Sequence, residues 1–484
     1  MTNCVSEPPI YNGKDENVMT LKKSESNIIS EMMADFTLNL TLEDVPNDVI
    51  QHGKMLIADT LGVAIASHEL EPAKIIEDML LSLKSQPQAT LWGSPNKVQL
   101  ADAVLYNAVL AHGLDYDDTH ARGIVHPSVV AVITALTVGE TVKADGKSIL
   151  EAIVAGWEVI IRLSCATKGR LHTVGYHNTG IFSSFTAACV AAKLMGLSRD
   201  VLINAIGLCG SQAAAIQEFL NDGSWVKKIH PGWGCHSAIY ALMMAERGFK
   251  GPLRVFEGKY GIWNSHIGAT DGLEEEFSNL GEAWHTKEIN LKLFPVVHST
   301  HTNIDLVMSL QKEHNIKAED IEKIECRIDE HNYNITCQPK EAKYRPKTDY
   351  MMRFSLPYLL AIAALRGRVS PWEFDIKNAE DPDLLKMIDK VECISDPSVA
   401  NPGYFPGWIA ITTKDGKTYQ RHQPFQKGTP QNPISMSTIL EKFGNNVSAF
   451  IEPQQAVDLQ DKVQRFEALA SVNELIESMQ ICNK

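Results

Sequence analysis

The chain has 484 residues, of which 44% are hydrophobic and 21% are charged, so it can bury a large core and form two or three compact units. Its formal net charge of -14 opposes broad binding to nucleic acid or to an anionic membrane surface. A small anionic substrate would need a local cluster of basic side chains and backbone N–H groups.

The apolar runs and the first residues argue against a membrane or secreted protein. No run approaches the roughly 20 apolar residues that cross a bilayer, and the N-terminus holds acids and prolines where a signal peptide needs an apolar stretch. We therefore expect a soluble, cytoplasmic protein, with a mitochondrial location left open. Nine cysteines, none in a C-x-x-C pair, argue against a structural zinc site or a disulfide framework.

The apolar pattern predicts a mainly α fold with an α+β insertion. Residues 1–26 are polar and are expected to form a flexible leader. Over 27–287, apolar residues recur at three- and four-residue spacing, which predicts the first part of a large all-helical domain. Several of these segments are rich in Ala, Gly and Ser, which suits helices that pack closely on all sides.

The pattern changes near residue 288. The segments IEKIECRIDE, KVECIS, WIAITT and KTYQRHQ are predicted to be short strands, and Lys414–Gly416 forms a hairpin turn between the last two. With the helical segments between them, they predict a smaller α+β lid domain over 288–425. Residues 426–484 return to helical spacing and are expected to pack back on the helical domain. A cleft between the two units is a natural ligand site.

The segment AHGLDYDDTHARGIVHPS, residues 111–128, carries the densest set of polar residues. If the preceding helix continues, Asp115 and Thr119 lie four residues apart on one face. Pro127 suits the first position of the next helix, which leaves His126 at its N-cap, beside a positive helix end that attracts carboxylates. The alternative is that the acids cap helices and the histidine is an ordinary loop residue.

Two further segments place basic or imidazole groups at predicted helix entries. In YHNTG, His177 comes just before two possible capping residues. In SWVKKIHPGWG, Lys227, Lys228 and His230 precede two glycines, which let a ligand approach the backbone, and another helix. Three basic helix entries in an acidic chain predict a pocket for a polycarboxylate.

A fourth cluster, INLKLFPVVHSTHTNID, places Lys292, His298 and His301 at the predicted junction between the domains. The His-x-x-His spacing could hold a metal, but no carboxylate accompanies it in a recognised pattern, so hydrogen-bonding histidines are favoured and no metal is expected. The sequence has neither G-x-G-x-x-G nor G-x-S-x-G, and no cofactor is expected.

These motifs resemble those of the MmgE/PrpD family, from about Ile28 to the C-terminus. The similar elements are IADTLG, GLDYDDTH with VHPS, GYHNTG, DGSWVKKIHPGW and KLFPVVHSTH. The family includes 2-methylcitrate and alkylcitrate dehydratases, cis-aconitate decarboxylase and iminodisuccinate epimerase. The resemblance implies a helical domain with an α+β lid, assembled as a homodimer.

The resemblance also implies a set of site residues. The pocket residues of cis-aconitate decarboxylases match six positions here: Asp115, Thr119, His126, His177, Lys227 and Lys292. A tyrosine of the animal enzymes matches Tyr333, which favours decarboxylation, whereas Val297 replaces a histidine of their FPAH pattern, which argues against it. The bacterial methylcitrate dehydratases differ more visibly, with WLDFNDT where this chain has GLDYDDT.

The implied chemistry is proton transfer at a carbon next to a carboxylate. His126 is expected to transfer the proton, with Asp115 holding its tautomer or relaying and His177 binding or protonating the leaving group. The residues expected to bind the substrate are Thr119, Lys227, Lys292, Tyr333 and His301.

The favoured function is dehydration of a methylcitrate or an alkylcitrate. The alternatives are decarboxylation of cis-aconitate to itaconate, an epimerase reaction with opposed histidines, and a catalytically silent helical dimer that binds a metabolite. A small polycarboxylate is the expected partner, with no nucleic acid and no membrane.

Overall fold

The computed structural model describes residues 27–481, so the predicted leader over 1–26 and the last three residues lie outside the described part. Helix predominates, and strands longer than two residues are confined to the C-terminal half of the described chain. The helices are α1 (Ile29–Asn39), α2 (Asn47–Ala66), α3 (Glu71–Ser82), α4 (Leu100–His112), α5 (Ser128–Val142), α6 (Gly146–Ala166), α7 (Arg170–Thr173), α8 (Asn178–Leu194), α9 (Arg199–Cys209), α10 (Phe219–Asp222), α11 (Val226–Glu246), α12 (Leu273–Phe277), α13 (His301–His314), α14 (Glu330–Thr336), α15 (Lys340–Tyr344), α16 (Asp349–Arg353), α17 (Leu356–Arg366), α18 (Pro382–Ile388), α19 (Met436–Val447), α20 (Pro453–Gln464) and α21 (Asn473–Glu477). The strands are β1 (Ala89–Thr90), β2 (Lys97–Val98), β3 (Thr119–His120), β4 (Ile289–Asn290), β5 (Ile321–Ile328), β6 (Val391–Ser395), β7 (Gly407–Thr413) and β8 (Thr418–Gln423).

The helical domain is built around helices that are buried on all sides. α5 has the sequence SVVAVITALTVGETV, whose β-branched residues are only moderate helix formers. Every residue from Ser128 to Glu140 is nevertheless buried, and α4, α6 and α8 pack around the helix. Tertiary packing therefore stabilises this helix more than its own propensity does.

Glycines allow α11 to lie very close to α4 and α8. A Cβ atom at Gly232 would lie 2.6 Å from the backbone oxygen of Leu105, and one at Gly234 would lie 2.5 Å from Cβ of Ser183. Neither contact leaves room for a side chain. The close packing fixes the first turns of α11, which carry its basic residues, against the domain core.

The lid contains a four-stranded sheet in the order β6-β5-β7-β8. β5 pairs parallel with β6 and antiparallel with β7, and β7 pairs antiparallel with β8 across the predicted hairpin. α13 packs on β7 and β8, and α17 packs on α13 and β6, so one sheet face is covered by helices. All four strands lie in the segments predicted from the sequence, and the predicted fold class is confirmed.

The apolar side chains form two large cores. The first combines residues between Ile29 and Leu291 with residues between Ile439 and Met479, because α19 packs on α2 and returns the chain to the helical domain. The second runs from Phe294 to Ile411 and belongs to the lid. The exact domain bounds stay predictions.

Two further expectations from the composition concern the cysteines and a membrane span. Six of the cysteines between residues 27 and 481 are buried and Cys393 is partly buried. Within the same range, no helix combines the length and the hydropathy needed to cross a membrane.

Candidate active site

A cavity of about 360 Å³ lies where the helical domain meets the lid. The helical domain lines it with the loop between α4 and α5, the starts of α8 and α11, and residues 217–220, while the lid contributes residues within 297–299, 329–335 and 400–405. Six of the predicted site residues line it: Asp115, Thr119, His126, His177, Lys227 and Lys292. Its volume lies in the ordinary range for small-molecule sites.

The loop after α4 reaches the cavity by a route that the sequence did not predict. α4 ends at His112, and Asp115 has a φ of 52°, in the left-handed region. The expectation that Asp115 and Thr119 share a helix face is therefore wrong, because a left-handed residue ends the helical repeat. Thr119 lies instead in β3, whose antiparallel pairing with β4 brings the chain after β4, with Lys292, alongside Asp115.

The helix entries differ from prediction by small shifts. α5 begins at Ser128 with Pro127 as its N-cap, so His126 precedes the cap instead of forming it. His177 is itself the N-cap of α8. Each imidazole still lies at the positive end of a buried helix, where backbone N–H groups favour a nearby anion.

The basic residues near α11 lie inside the helix and not before it. α11 begins at Val226, so Lys227, Lys228 and His230 occupy its first two turns. The Pro-Gly sequence that follows is typical of a helix break. The close packing of the glycines on α4 and α8 keeps the helix continuous through Pro231, which explains the difference from the prediction.

Asp115 joins the two lysines of the cavity. Its Oδ1 accepts hydrogen bonds from Nζ of Lys227 at 2.8 Å and from Nζ of Lys292 at 3.0 Å, and Lys292 also donates to the backbone oxygen of Asp115 at 2.9 Å. Burial acts to raise the pKa of Asp115, but the two lysines outweigh it and hold that pKa well below its ordinary value. The three groups together carry a net positive charge at the cavity wall.

The carboxylate beside His126 is Asp117, and not Asp115 as the sequence suggested. Oδ2 of Asp117 lies 3.2 Å from Nδ1 of His126 and 2.8 Å from Nδ1 of His112. Nδ1 of His126 also lies 2.9 Å from the backbone oxygen of Asp118. Because a backbone oxygen can only accept, Nδ1 carries the proton in neutral His126, and Nε2 keeps its lone pair.

Burial controls the protonation of the residues around His126. It lowers the pKa of His126 to about 4, against the opposing effect of Asp117. It acts in the opposite sense on Asp118, whose pKa it raises to about 8. Asp118 is thus a neutral acid at pH 7, and its Oδ1 accepts a hydrogen bond from the backbone N–H of Ser128 at 3.1 Å.

Two further histidine contacts complete the polar wall. Nδ1 of His177 lies 3.1 Å from Nδ1 of His230, and Thr119 Oγ1 is hydrogen-bonded to Nδ1 of His298. Burial, followed by nearby positive charge and other imidazoles, lowers the pKa of His177 well below its ordinary value. His177 is therefore neutral near pH 7.

Two of the predicted binding residues lie outside the cavity lining. Tyr333 packs partly buried against the lid core, and its hydroxyl accepts a hydrogen bond from Nε2 of Gln338 at 3.0 Å. His301 begins α13 and packs behind His298, with ring centroids 4.5 Å apart. Val297, where a histidine was expected by resemblance, does line the cavity.

Sequence reasoning missed the partners that hold the cavity residues. The sequence indicates no role for His112 or Asp117, and it marks His298 only as part of a motif. Asp117 stands two residues after Asp115 and five after His112 in the sequence, but only a chain reversal after α4 turns both carboxylates inward. The spacing alone carries no signal for that reversal.

A small apolar cluster, separate from both cores, also lines the cavity. It consists of Phe219, Tyr350 and Phe354, with Val297 and Ile335 packed against them. Four of these line the cavity, the exception being Tyr350. The cavity lining thus combines charged and imidazole groups with hydrocarbon side chains, which touch each other where Lys227 lies over Phe354 and His177 meets Phe219.

Two groups of buried side chains have the spacing of metal ligands. They are His112, His126 and His177, and Asp115, Asp117 and His126, each with one ligand atom per residue within 4.8 Å of the others. In the second group, Asp115 is already engaged by two lysines, whose charges oppose a cation.

The fold and the cavity define a two-domain protein with a cavity rich in buried basic and imidazole groups between its domains. Comparison with known families shows which family the protein belongs to. Residues 31–272 match the MmgE/PrpD N-terminal domain, and residues 294–467 match the MmgE/PrpD C-terminal domain. The chain belongs to the MmgE/PrpD family.

Relatives of the chain are named for two reactions. It is 25% identical over 478 residues to the cis-aconitate decarboxylase-like protein oryM of Aspergillus oryzae, covering 93% of this chain and 97% of that protein. It is 25% identical over 436 residues to human cis-aconitate decarboxylase, covering 87% and 88%. It is 21% identical over 401 residues to Escherichia coli 2-methylcitrate dehydratase, covering 78% and 80%. Both names denote lyases.

Proposed function

We propose that this protein is a lyase that dehydrates a citrate-type tertiary alcohol bearing an alkyl group, such as 2-methylcitrate or a longer alkylcitrate. The observation that carries the proposal is the state of His126. Its Nδ1 is engaged by Asp117 and the backbone of Asp118, and its Nε2 has no hydrogen-bond partner within residues 27–481. It is neutral at pH 7, so it can act as a base.

The lysine pair supports binding of the substrate carboxylates. Lys227 and Lys292 share one carboxylate, so the trio keeps one uncompensated positive charge at the cavity wall. A substrate carboxylate beside them gains charge-assisted hydrogen bonds, and the same charges stabilise the carbanion that forms next to it.

The proposed reaction is an elimination of water. Nε2 of His126 removes a proton from the carbon next to a carboxylate, the electron pair forms the double bond, and the hydroxyl leaves the neighbouring carbon. His177, which is neutral, donates a hydrogen bond to that hydroxyl as it leaves. The proton taken by His126 and the hydroxide that leaves add up to one water, so no redox partner enters the balance.

The apolar cluster supports a substrate with a hydrocarbon group. Phe219, Phe354, Ile335 and Val297 line the cavity, with the ring centroid of Phe354 5.6 Å from Nζ of Lys227. Each methylene that leaves water for such a surface contributes about 0.8 kcal/mol. Citrate and cis-aconitate have no substituent that would gain this energy, whereas an alkylcitrate does.

Decarboxylation of cis-aconitate to itaconate is the second candidate. A relative from Aspergillus terreus that covers 95% of this chain carries that name, and so does the human protein. In that reaction the carbanion left by carbon dioxide must be protonated, so His126 would have to hold a proton before turnover. Burial lowers the pKa of His126, which suits a base, and this is the reason that we place dehydration first.

Proton NMR of the purified, chelator-treated protein with citrate, 2-methylcitrate and cis-aconitate, each offered separately, tests the proposal. An alkene formed from 2-methylcitrate supports it, and citrate should react more slowly. Itaconate with release of carbon dioxide from cis-aconitate would replace it with the second candidate. No reaction with any of the three, nor with a longer alkylcitrate, would contradict both.

The variant His126→Ala tests the assigned base. Turnover should fall by about 10²- to 10⁴-fold, the usual contribution of a positioned base, while the fold is retained. His236→Ala is the matched control, because His236 lies outside the cavity lining and pairs with Asp102 at 3.3 Å. Unchanged turnover in His126→Ala would remove it from the role. Assembly as a homodimer stays a prediction.

A further inference from the structure

Three neighbouring imidazoles, two lining the cavity and His112 buried behind them, have the arrangement of a metal site. His112, His126 and His177 each place one ring nitrogen within 4.8 Å of those of the other two, and all three are buried. The ring centroids of His112 lie 4.7 Å from His126 and 5.9 Å from His177. Zinc binds imidazole nitrogen at about 2.0–2.1 Å, so small ring rotations bring three nitrogens onto one ion.

Two of these rings already have the kind of partner that orients a metal-bound histidine, and the third contacts another imidazole. Nδ1 of His112 meets Asp117 at 2.8 Å, Nδ1 of His126 meets the backbone oxygen of Asp118 at 2.9 Å, and Nδ1 of His177 meets His230 at 3.1 Å. Carboxylate and carbonyl partners of this type fix the ring and leave the other nitrogen for the ion.

His112 supplies an independent sign of a missing ligand. Its side chain is fully buried, and its Nε2 has no hydrogen-bond partner within the described residues. Burying a polar atom without a hydrogen-bond partner is unfavourable. A bound cation would satisfy this atom, whereas dehydration as proposed above assigns it no task.

The surrounding charges are compatible with a cation. Asp117 contacts both His112 and His126 and brings a negative charge next to the three rings. Lys227 opposes a cation, but Asp115 pairs with it at 2.8 Å.

We infer that His112, His126 and His177 form a site for one divalent transition metal of the zinc type, open to the cavity at its fourth position. Imidazole nitrogens suit zinc, copper, nickel and iron, and a three-histidine site keeps a position for water. Occupancy takes the lone pair of His126 and therefore inhibits turnover. That inhibition rests on the proposed function, whereas the binding itself does not.

Titration of the chelator-treated protein with Co²⁺, followed by visible absorption, tests the binding without any turnover. One Co²⁺ per chain should produce the intense visible bands of low-coordinate cobalt, and Zn²⁺ should abolish them by displacement. His112→Gln should lose the bands. Asp117→Asn keeps all three ligands but loses their orientation, so it should bind Co²⁺ about 10- to 100-fold more weakly. His236→Gln, a histidine paired with a carboxylate elsewhere, should bind like the original protein.

The inference is overturned if the original protein shows no band at one equivalent, or if His112→Gln binds Co²⁺ equally well. X-ray absorption of the zinc-loaded original protein decides the matter even if a variant fails to fold. It should show the scattering of imidazole rings, and a shell of oxygen or sulfur alone would refute the site. A positive result here with no lyase activity would leave the metal site standing and remove only the proposed reaction.

Discussion

Replacing Asp115 by Asn removes the charge that holds two buried lysines together. Lys227 and Lys292 both lie at about 3 Å from Oδ1 of Asp115, so their ammonium groups are no more than about 6 Å apart. At that separation and an effective dielectric constant of about 20, two like charges repel by about 3 kcal/mol. Breaking a buried charge cluster by removing one partner costs about 3–5 kcal/mol.

We therefore expect Asp115→Asn to lower the free energy of unfolding by about 3–5 kcal/mol at pH 7. Urea unfolding followed by circular dichroism measures this free energy from the midpoint of the transition and from its slope with urea concentration. Asp118→Asn is the matched control, because burial raises the pKa of Asp118 to about 8 and the acid is already neutral. Asn keeps the acceptor for the Ser128 N–H, so this variant should cost no more than about 1 kcal/mol, the net contribution of one hydrogen bond. Equal losses of unfolding free energy in the two variants would refute the assignment of a negative charge to Asp115 and of a neutral acid to Asp118.

Three further predictions concern pH and packing. Because the pKa of His126 is about 4, kcat/KM for dehydration should stay level around pH 7 and fall only as the pH approaches that value. Burial lowers the pKa values of His126, His172 and His230 from 6.5 to about 4, so the unfolded chain takes up protons before the folded one does. Stability should therefore be lost as the pH falls from about 6.5 towards 4, by up to about 1.4 kcal/mol per pH unit for each ring, measured as the thermal midpoint. Gly146→Ala should destabilise the protein in urea unfolding, because its Cβ would lie 1.7 Å from a backbone oxygen of the C-terminal segment. Gly444→Ala, with its nearest neighbour 3.8 Å away in a helix interior, should be neutral or stabilising by about 0.5–1 kcal/mol.

Each of these predictions has an outcome that would contradict it. A fall in kcat/KM centred near pH 6.5 would mean that His126 is not desolvated as described. A thermal midpoint that rises on acidification would reverse the sign of the histidine effect. If Gly146→Ala and Gly444→Ala behave alike, the C-terminal segment does not pack on α6 as closely as described.

The sequence predicted the secondary structure well where periodicity was strong. The strands β5 to β8 and the hairpin between β7 and β8 lie in the segments that alternation and turn residues indicated. Their signals are local, because side chains alternate along a half-buried strand and Gly416, with a φ of 81°, closes the turn. The helix α5 was also found from its buried apolar run.

The site residues were harder to place, because their partners are distant in the chain. The family resemblance named both Asp115 and Lys227 as site residues. Local spacing could not pair them, because their hydrogen bond joins residues 112 positions apart. The sequence paired Asp115 with His126, and the structure puts Asp117 there. A difference of two residues in an irregular loop reverses which carboxylate faces the imidazole, and no periodicity operates in a loop.

The sequence by itself determined the two-part architecture, the acidic surface and a set of histidines and lysines suited to a multiply charged anion. These features follow from composition and from local spacing, and local spacing relates residues that are only a few positions apart. Only the tertiary structure decided which of these side chains share a wall, which carboxylate orients His126, and that an apolar cluster lines the same cavity. The physical reason is that burial and long-range contact set the charge state and the neighbours of each group, and both depend on how distant segments pack.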